Sequence, residues 1–212
     1  MRQQEKTKIV KENILNESLI LFAEQGYEGT SLQDIMNKTG MSKGAIYHHF
    51  TGKEDILRKI TENAQGKVRD FFEDVKSDNK INTREKILRI VSFLGNNSEH
   101  SNLIENRWIE KVPFALLTTL RGAMKDLSPI LANILKQGIE KKDIKCDNPD
   151  FAAETILILV DVWLDPTIFG WNPKEVESRF DYLFNIINQI VPGLIKKEDI
   201  EQIRILLLQL YK

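Results

Sequence analysis

Gly40-Met41-Ser42-Lys43-Gly44-Ala45-Ile46-Tyr47-His48-His49-Phe50 is the stretch on which the reading of the fold turns. Ser42 is of the residue type that caps a helix start, and Thr51-Gly52 closes the short helix it opens. Within that helix Lys43, Tyr47 and His48 alternate with Ala45, Ile46 and Phe50, so one face is polar and the other docks on protein. Just upstream, Thr30-Ser31-Leu32-Gln33-Asp34 reads as another N-cap, and Leu32, Ile35 and Met36 form an apolar face before Gly40 stops it. Two short helices separated by Gly40-Met41-Ser42 have the outline of a helix-turn-helix, whose second helix is presented to the major groove of DNA.

Helical periodicity continues outward on both sides. Leu15, Leu19, Phe22 and Ala23 predict a helix over about 7–25, with Gly26 at its C-cap. Lys53-Glu54-Asp55 opens a longer helix in which Ile56, Ile60, Ala64, Val68, Phe71 and Val75 keep one face apolar. Ser77-Asp78-Asn79-Lys80 breaks it, and Ile87, Val91 and Leu94 mark the next helix before Gly95-Asn96-Asn97. Further helices are expected over about 101–110, 113–126 and 129–141. Asp147-Asn148-Pro149 starts another, apolar nearly all round from Phe151 to Leu164, as expected of a helix covered on every side. Beyond a connector bracketed by Pro166, Gly170 and Pro173, a wide stripe runs from Val176 to Val191, and a last helix is expected over about 197–210. No alternating run bounded by hairpin turns competes with these, so the expected fold class is all-α.

The 212 residues carry 30 Lys plus Arg against 31 Asp plus Glu, a net charge of −1 that argues against binding polyanions by bulk charge. The balance is uneven along the chain. From Ile35 to Lys53, 19 residues contain three lysines and no acid, coinciding with the helix-turn-helix. Strictly apolar runs such as Ile156 to Val160 fall far below the ~20 residues of a membrane span. Met1 to Lys8 is polar and mixed in charge, so no signal peptide is expected. A single cysteine, Cys146, supports neither an intramolecular disulfide nor a cysteine-based zinc site, and agrees with a cytoplasmic protein. Adjacent His48 and His49 point about 100° apart on a helix and do not converge on one metal. With no Gly-rich phosphate loop, His-Glu-x-x-His run or nucleophile elbow, neither an enzyme nor a bound cofactor is expected.

The run Phe22 to Ser31, then Ile35, then Gly40 to Phe50, then Lys53-Glu54-Asp55-Ile56-Leu57, resembles the N-terminal domain of tetracycline-repressor-type (TetR-family) regulators, in register over about 50 residues. Met36-Asn37-Lys38-Thr39 departs from the alanine-rich lead-in of many relatives. The resemblance implies a three-helix DNA-binding domain over 1–52 and a larger helical ligand-sensing and dimerisation domain over 53–212, with about nine to ten helices in all. It also implies roles for particular residues. Thr30 and Ser31 would bind a phosphate at a helix N-terminus, and Ser42, Lys43, Gly44 and Ala45 would start the recognition helix facing base edges. Tyr47 and His48 would reach the sugar-phosphate backbone, with a base also in reach of His48, Lys53 would add a phosphate contact, and His49 and Phe50 would turn inward. The implied partners are a double-stranded DNA operator, a second copy of the chain and a small-molecule effector.

A recognition helix this short reads only a few base pairs, so a dimer surface is needed. The helices at about 150–164 and 174–191 are the candidates, through Ile156, Val160, Trp163, Phe180, Phe184 and Ile187, forming a four-helix bundle with their symmetry mates. The stretch at about 81–170 is the expected sensor. Its candidate pocket walls are Trp108, Phe114, Leu117, Thr118, Arg121, Trp163 and Phe169. Lys111, Arg121 and Lys125 lie in an acid-free window that would suit an anionic ligand head. The expected function is a ligand-responsive repressor that binds a palindromic operator as a homodimer. A helical adaptor or activator of the same fold, or a small helical enzyme using His48, His49 or His100 as base, are the competing readings.

Overall fold

In the computed structural model, which describes residues 3–96, 112 and 115–209, all regular structure among those residues is helical. The helix expected over 101–110, and with it Trp108, Lys111 and Phe114, lies outside the described residues. The chain divides into two compact units, and the division falls after Gly66, inside helix α4 (Lys53–Ser77). The boundary expected at 52 stood ahead of that helix, but Ile56 and Ile60 are buried and keep its first half with the N-terminal unit.

In the first unit, α1 (Gln3–Gln25) packs on α2 (Leu32–Thr39). Ile14, Leu15, Leu21 and Phe22 of α1 are buried, as are Ile35 of α2 and Ile46 of α3 (Lys43–His49). Each such burial contributes about 1.5–3 kcal/mol. Ser31 caps α2 in a reciprocal box with Asp34, and Gly40, at φ 68°, ends it in the left-handed region that favours glycine. That turn delivers Ser42, whose hydroxyl accepts the Ala45 amide at 3.2 Å and starts α3.

The second unit holds the rest of α4 with α5 (Thr83–Gly95), α6 (Ala115–Gly122), α7 (Ser128–Glu140), α8 (Pro149–Ile158), α9 (Pro166–Phe169), α10 (Pro173–Ile190) and α11 (Lys197–Gln209). Helices α7 and α8 pack side by side, and Leu131, Leu135, Ala153, Leu164, Phe180 and Leu183 belong to the core around them. Helix α5 lies so close to α11 that a Cβ on Gly95 would stand 2.6 Å from the Leu206 carbonyl oxygen. The same pair is tied by Arg84, which donates to both carboxylate oxygens of Asp199, at 2.7 and 2.5 Å, and to Glu198 at 2.7 Å. The buried Lys86 ammonium donates to the Lys76 carbonyl at the end of α4 (2.6 Å) and to Gln137 Oε1 on α7 (2.7 Å). Burial, then nearby Lys141, lowers its pKa. No helix among the described residues is long and apolar enough to cross a membrane.

Two prolines explain where helices differ from their expected bounds. The stretches expected as separate helices over 113–126 and 129–141 form one helical run, in which Ala123–Leu127 make a π turn closed by the Ser128 amide on the Ala123 carbonyl. Pro129 has no N–H and its ring crowds the carbonyl four residues back, so the wider turn ahead of it lets the helix pass. A second π turn, Leu159–Trp163, precedes Pro166, with Leu164 N–H on Leu159 C=O at 3.0 Å.

The phase of α8 and α10 bears on three of the six expected dimer residues. Phe180, Phe184 and Ile187 are buried in the core of their own unit, and Ile156, Val160 and Trp163 are half-buried against it. Phe180, Phe184 and Ile187, already covered within one chain, add no area to an interface, whereas Ile156, Val160 and Trp163 keep part of their surface free. The covering of α8 is also incomplete: Phe151 is 66% and Ile158 45% exposed. On α10 the inward stripe is Val176, Phe180, Leu183, Phe184 and Ile187, leaving Tyr182 60% exposed on the outer side.

Candidate nucleic-acid interface

Helix α3 is anchored through Ile46, and Phe50, which follows it, is also buried. Its opposite side carries Ser42, Lys43, Gly44, Tyr47 and His48 exposed, with Ala45 half-buried. The spacing makes two rows, Lys43 with Tyr47 and Gly44 with His48. The Lys43 ammonium lies 5.8 Å from the Tyr47 ring centroid, an exposed cation–π contact that draws the two side chains together. His48 and His49 meet edge to face at 4.8 Å. His49 is half-buried, and burial, then His48 and Lys11, push its pKa down, so it is neutral at pH 7. The first turn of α3 holds no acid. The result is a compact face of positive charge and hydroxyls suited to a phosphate backbone and base edges.

Gly44 lies in ordinary helical space, outside the glycines of positive φ, and a Cβ there would meet nothing within 4 Å. Nothing inside the chain demands a glycine at this exposed position.

Three of the expected DNA contacts are hydrogen-bonded within the free chain. Thr30 is buried, and its hydroxyl donates to the Gly26 carbonyl at 2.7 Å with the Leu21 carbonyl also within reach at 3.3 Å. It locks the α1–α2 turn and does not face solvent. Ser31 is exposed, but its hydroxyl donates to Asp34 at 2.6 Å and accepts the Asp34 amide at 3.2 Å. Those bonds hold the Asp34 carboxyl below its usual range and leave a negative charge beside Ser31. Lys53 donates to the carbonyls of Tyr27 (2.7 Å) and Thr30 (2.8 Å) and sits 4.1 Å over the Tyr27 ring. Its ammonium clamps α4 to the turn before α2; the sequence placed it at a helix start, where only tertiary contacts reveal the carbonyls it meets.

Five of the seven residues expected to wall the ligand pocket are among the described residues. Leu117, Thr118 and Arg121 are exposed on α6, while Trp163 lines an open groove of about 500 Å³ along α10 with Arg179 and Tyr182. Phe169 is exposed and stacks on Trp171 at 5.3 Å. Lys125, from the acid-free window, is also exposed. Sequence reading missed Trp171 and Arg179, whose association depends on the fold of the connector; the only signal was the density of aromatic residues from Trp163 to Tyr182.

Residues 14–60 match the family described as "Bacterial regulatory proteins, tetR family". Over 189 residues, 84% of this chain and 97% of the relative, the sequence is 26% identical to the biofilm operon icaADBC HTH-type negative transcriptional regulator IcaR of Staphylococcus epidermidis (strain RP62A). Among solved structures, a TetR transcriptional regulator from Chloroflexus aurantiacus J-10-FL aligns with a TM-score of 0.63 at 23% identity, covering 88% of this chain and 98% of that one. A SmeT–triclosan complex aligns with a TM-score of 0.67 at 17% identity, covering 89% and 95%. At these identities the two structures show a common fold.

Proposed function

We propose that the chain, whose residues 14–60 match the tetR family of bacterial regulatory proteins, is a cytoplasmic repressor that binds a palindromic operator as a homodimer and is released by a small molecule. The observation that carries the reading is the exposed, acid-free face of α3 opposite buried Ile46. Lys43, Gly44 and Ala45 face base edges, Tyr47 and His48 meet the sugar-phosphate backbone, and Ser42 caps the helix that holds them. A repressive sign is supported by the staphylococcal relative, which is named a negative regulator. That relative's operon is its own.

Two copies place two recognition helices in successive major grooves, roughly 34 Å apart. The dimer uses α8 and α10 as the sequence suggested, but through their outward residues Phe151, Ile158 and Tyr182, which remain exposed in the single chain. An effector in the second unit acts by favouring one dimer shape over another, with α4 as the helix shared by both units. The neighbour that holds triclosan supports a fold able to take a small ligand.

A gel shift with DNA from upstream of the chain's own gene tests this. Folded dimer should prefer that DNA over scrambled sequence, and Tyr47→Ala should weaken binding about tenfold with helicity unchanged. No sequence preference at low salt, or full affinity in Tyr47→Ala, would overturn the assignment.

A further inference from the structure

Helix α4 is one unbroken helix of 25 residues whose two halves belong to different units. Each end is fixed. At the start, Ile56 and Ile60 are buried, and the Lys53 ammonium donates to the carbonyls of Tyr27 and Thr30 at 2.7 and 2.8 Å. At the other end, Phe72 and Val75 are buried in a core with Ile90, Ile130 and Ile134, and the buried Lys86 ammonium donates to the Lys76 carbonyl at 2.6 Å. A cation on the last turn also suits the helix dipole.

The middle of the helix is different. From Thr61 to Phe71, eleven residues and about three turns, none is buried. Gly66 stands at the centre of that stretch, and the division between the units falls immediately after it. Two other helical glycines have a packing reason: a Cβ would stand 2.6 Å from the Leu206 carbonyl oxygen at Gly95, and 2.5 Å from the Thr83 hydroxyl oxygen at Gly138. At Gly66 a Cβ would meet nothing within 4 Å, and φ is not positive. Alanine would fit there and favour the local helix by roughly four- to fivefold over glycine. Arg58 pairs with Asp55 and Glu62 and braces the turns ahead. Gly66 therefore combines the weakest helix former with the thinnest packing, in a helix clamped at both ends.

We propose that α4 is hinged at Gly66, so that the helix bends there while both ends keep their clamps. A movement of α5 or α7 is carried by Lys86, Phe72 and Val75 into the second half of α4, and it emerges as a change of bend instead of the displacement of a rigid rod. The glycine costs helix stability in the resting chain, and what it supplies is a single place where the backbone yields. That the bend sets the spacing of the recognition helices in a dimer rests on the function proposed above; the hinge itself does not.

Two readouts on the full-length protein without DNA test the hinge. In hydrogen exchange, the amides from Thr61 to Phe71 should exchange faster than those around Ile56 and Val75, and Gly66→Ala should slow them roughly four- to fivefold with helicity unchanged. In pulsed spin-label distance measurements, labels at Glu24→Cys and Glu140→Cys, exposed positions of the two units, report the range of bend in a Cys146→Ser background. Excess unlabelled chain leaves one labelled chain in each dimer. The distance distribution should be narrower in Gly66→Ala than with glycine. Unslowed exchange would overturn the proposal. So would slowing without narrowing, since Gly66 would then weaken the helix without letting it bend. Neither readout uses DNA, so a failed gel shift leaves the hinge standing, and an unchanged distribution leaves the DNA reading standing.

Discussion

Lys53→Met removes the ammonium that clamps α4 to the turn before α2 while keeping an apolar stem of similar length. Two bonds to carbonyls, at 2.7 and 2.8 Å, and a cation–π contact at 4.1 Å are lost. Bonds to a charged donor are worth about 1.5–3 kcal/mol when the acceptor is left dry, but these carbonyls are part-buried and regain water, so about 1 kcal/mol each is the fitting figure. Adding about 0.5–1 kcal/mol for the ring contact gives a destabilisation of about 2–3 kcal/mol. In a unit this small, that lowers its melting temperature by on the order of 10 °C. The decisive assay is operator affinity as a function of salt. A lysine that neutralises a phosphate steepens the plot of log affinity against log salt by ~0.9, or ~1.8 in a dimer. The clamp predicts a lower melting temperature and a weaker, uniformly shifted affinity with unchanged slope. A slope reduced by about 1.8 at unchanged melting temperature would refute the clamp and restore Lys53 as a phosphate contact.

Gly44→Ala should stabilise the fold slightly, by up to about 0.5–1 kcal/mol, because a helical glycine there meets no packing demand, while operator affinity falls about tenfold. Affinity unchanged in a gel shift would mean that DNA does not approach that backbone. Ile158→Asp should convert dimer to monomer by light scattering with helicity retained, since Ile158 is exposed in the single chain; a persisting dimer would sink the outward-face assignment. Burial, with the charge of Asp165 second, raises the Asp161 carboxyl from 3.8 to about 7. The folded state therefore keeps a proton that the unfolded state releases, so this group's stabilisation is full below 3.8 and falls as pH rises to about 7. Asp161→Asn should flatten that fall in melting temperature, and parallel curves for the two proteins would contradict it.

The helical class and the helix-turn-helix were legible in the sequence because they rest on local signals. Ser31, Gly40 and Ser42 specify caps and a turn by their own chemistry, and Ile46 and Phe50 declare the docking side of α3 by spacing alone. The exposed positions Lys43, Tyr47 and His48 follow from that phase. Thr30, Ser31 and Lys53 were legible as residue types, but their bonds within the free chain were not, because the carbonyls and carboxylate that engage them are brought close by turns.

Periodicity was weakest where helices are apolar on more than one side. An apolar stripe says that a face is covered, not by what, so Phe180, Phe184 and Ile187 read equally as dimer surface or as core until packing buried them in their own unit. The contacts of Arg179 with Trp163 and Trp171 join a π turn, a connector and a helix, and no period links such residues. What the sequence by itself determined is what short-range sterics and hydrogen bonding decide: where helices start and stop, and which side of α3 is free. What only the tertiary structure decided is which apolar faces and charged groups are already satisfied within the chain, because satisfaction depends on partners distant in sequence.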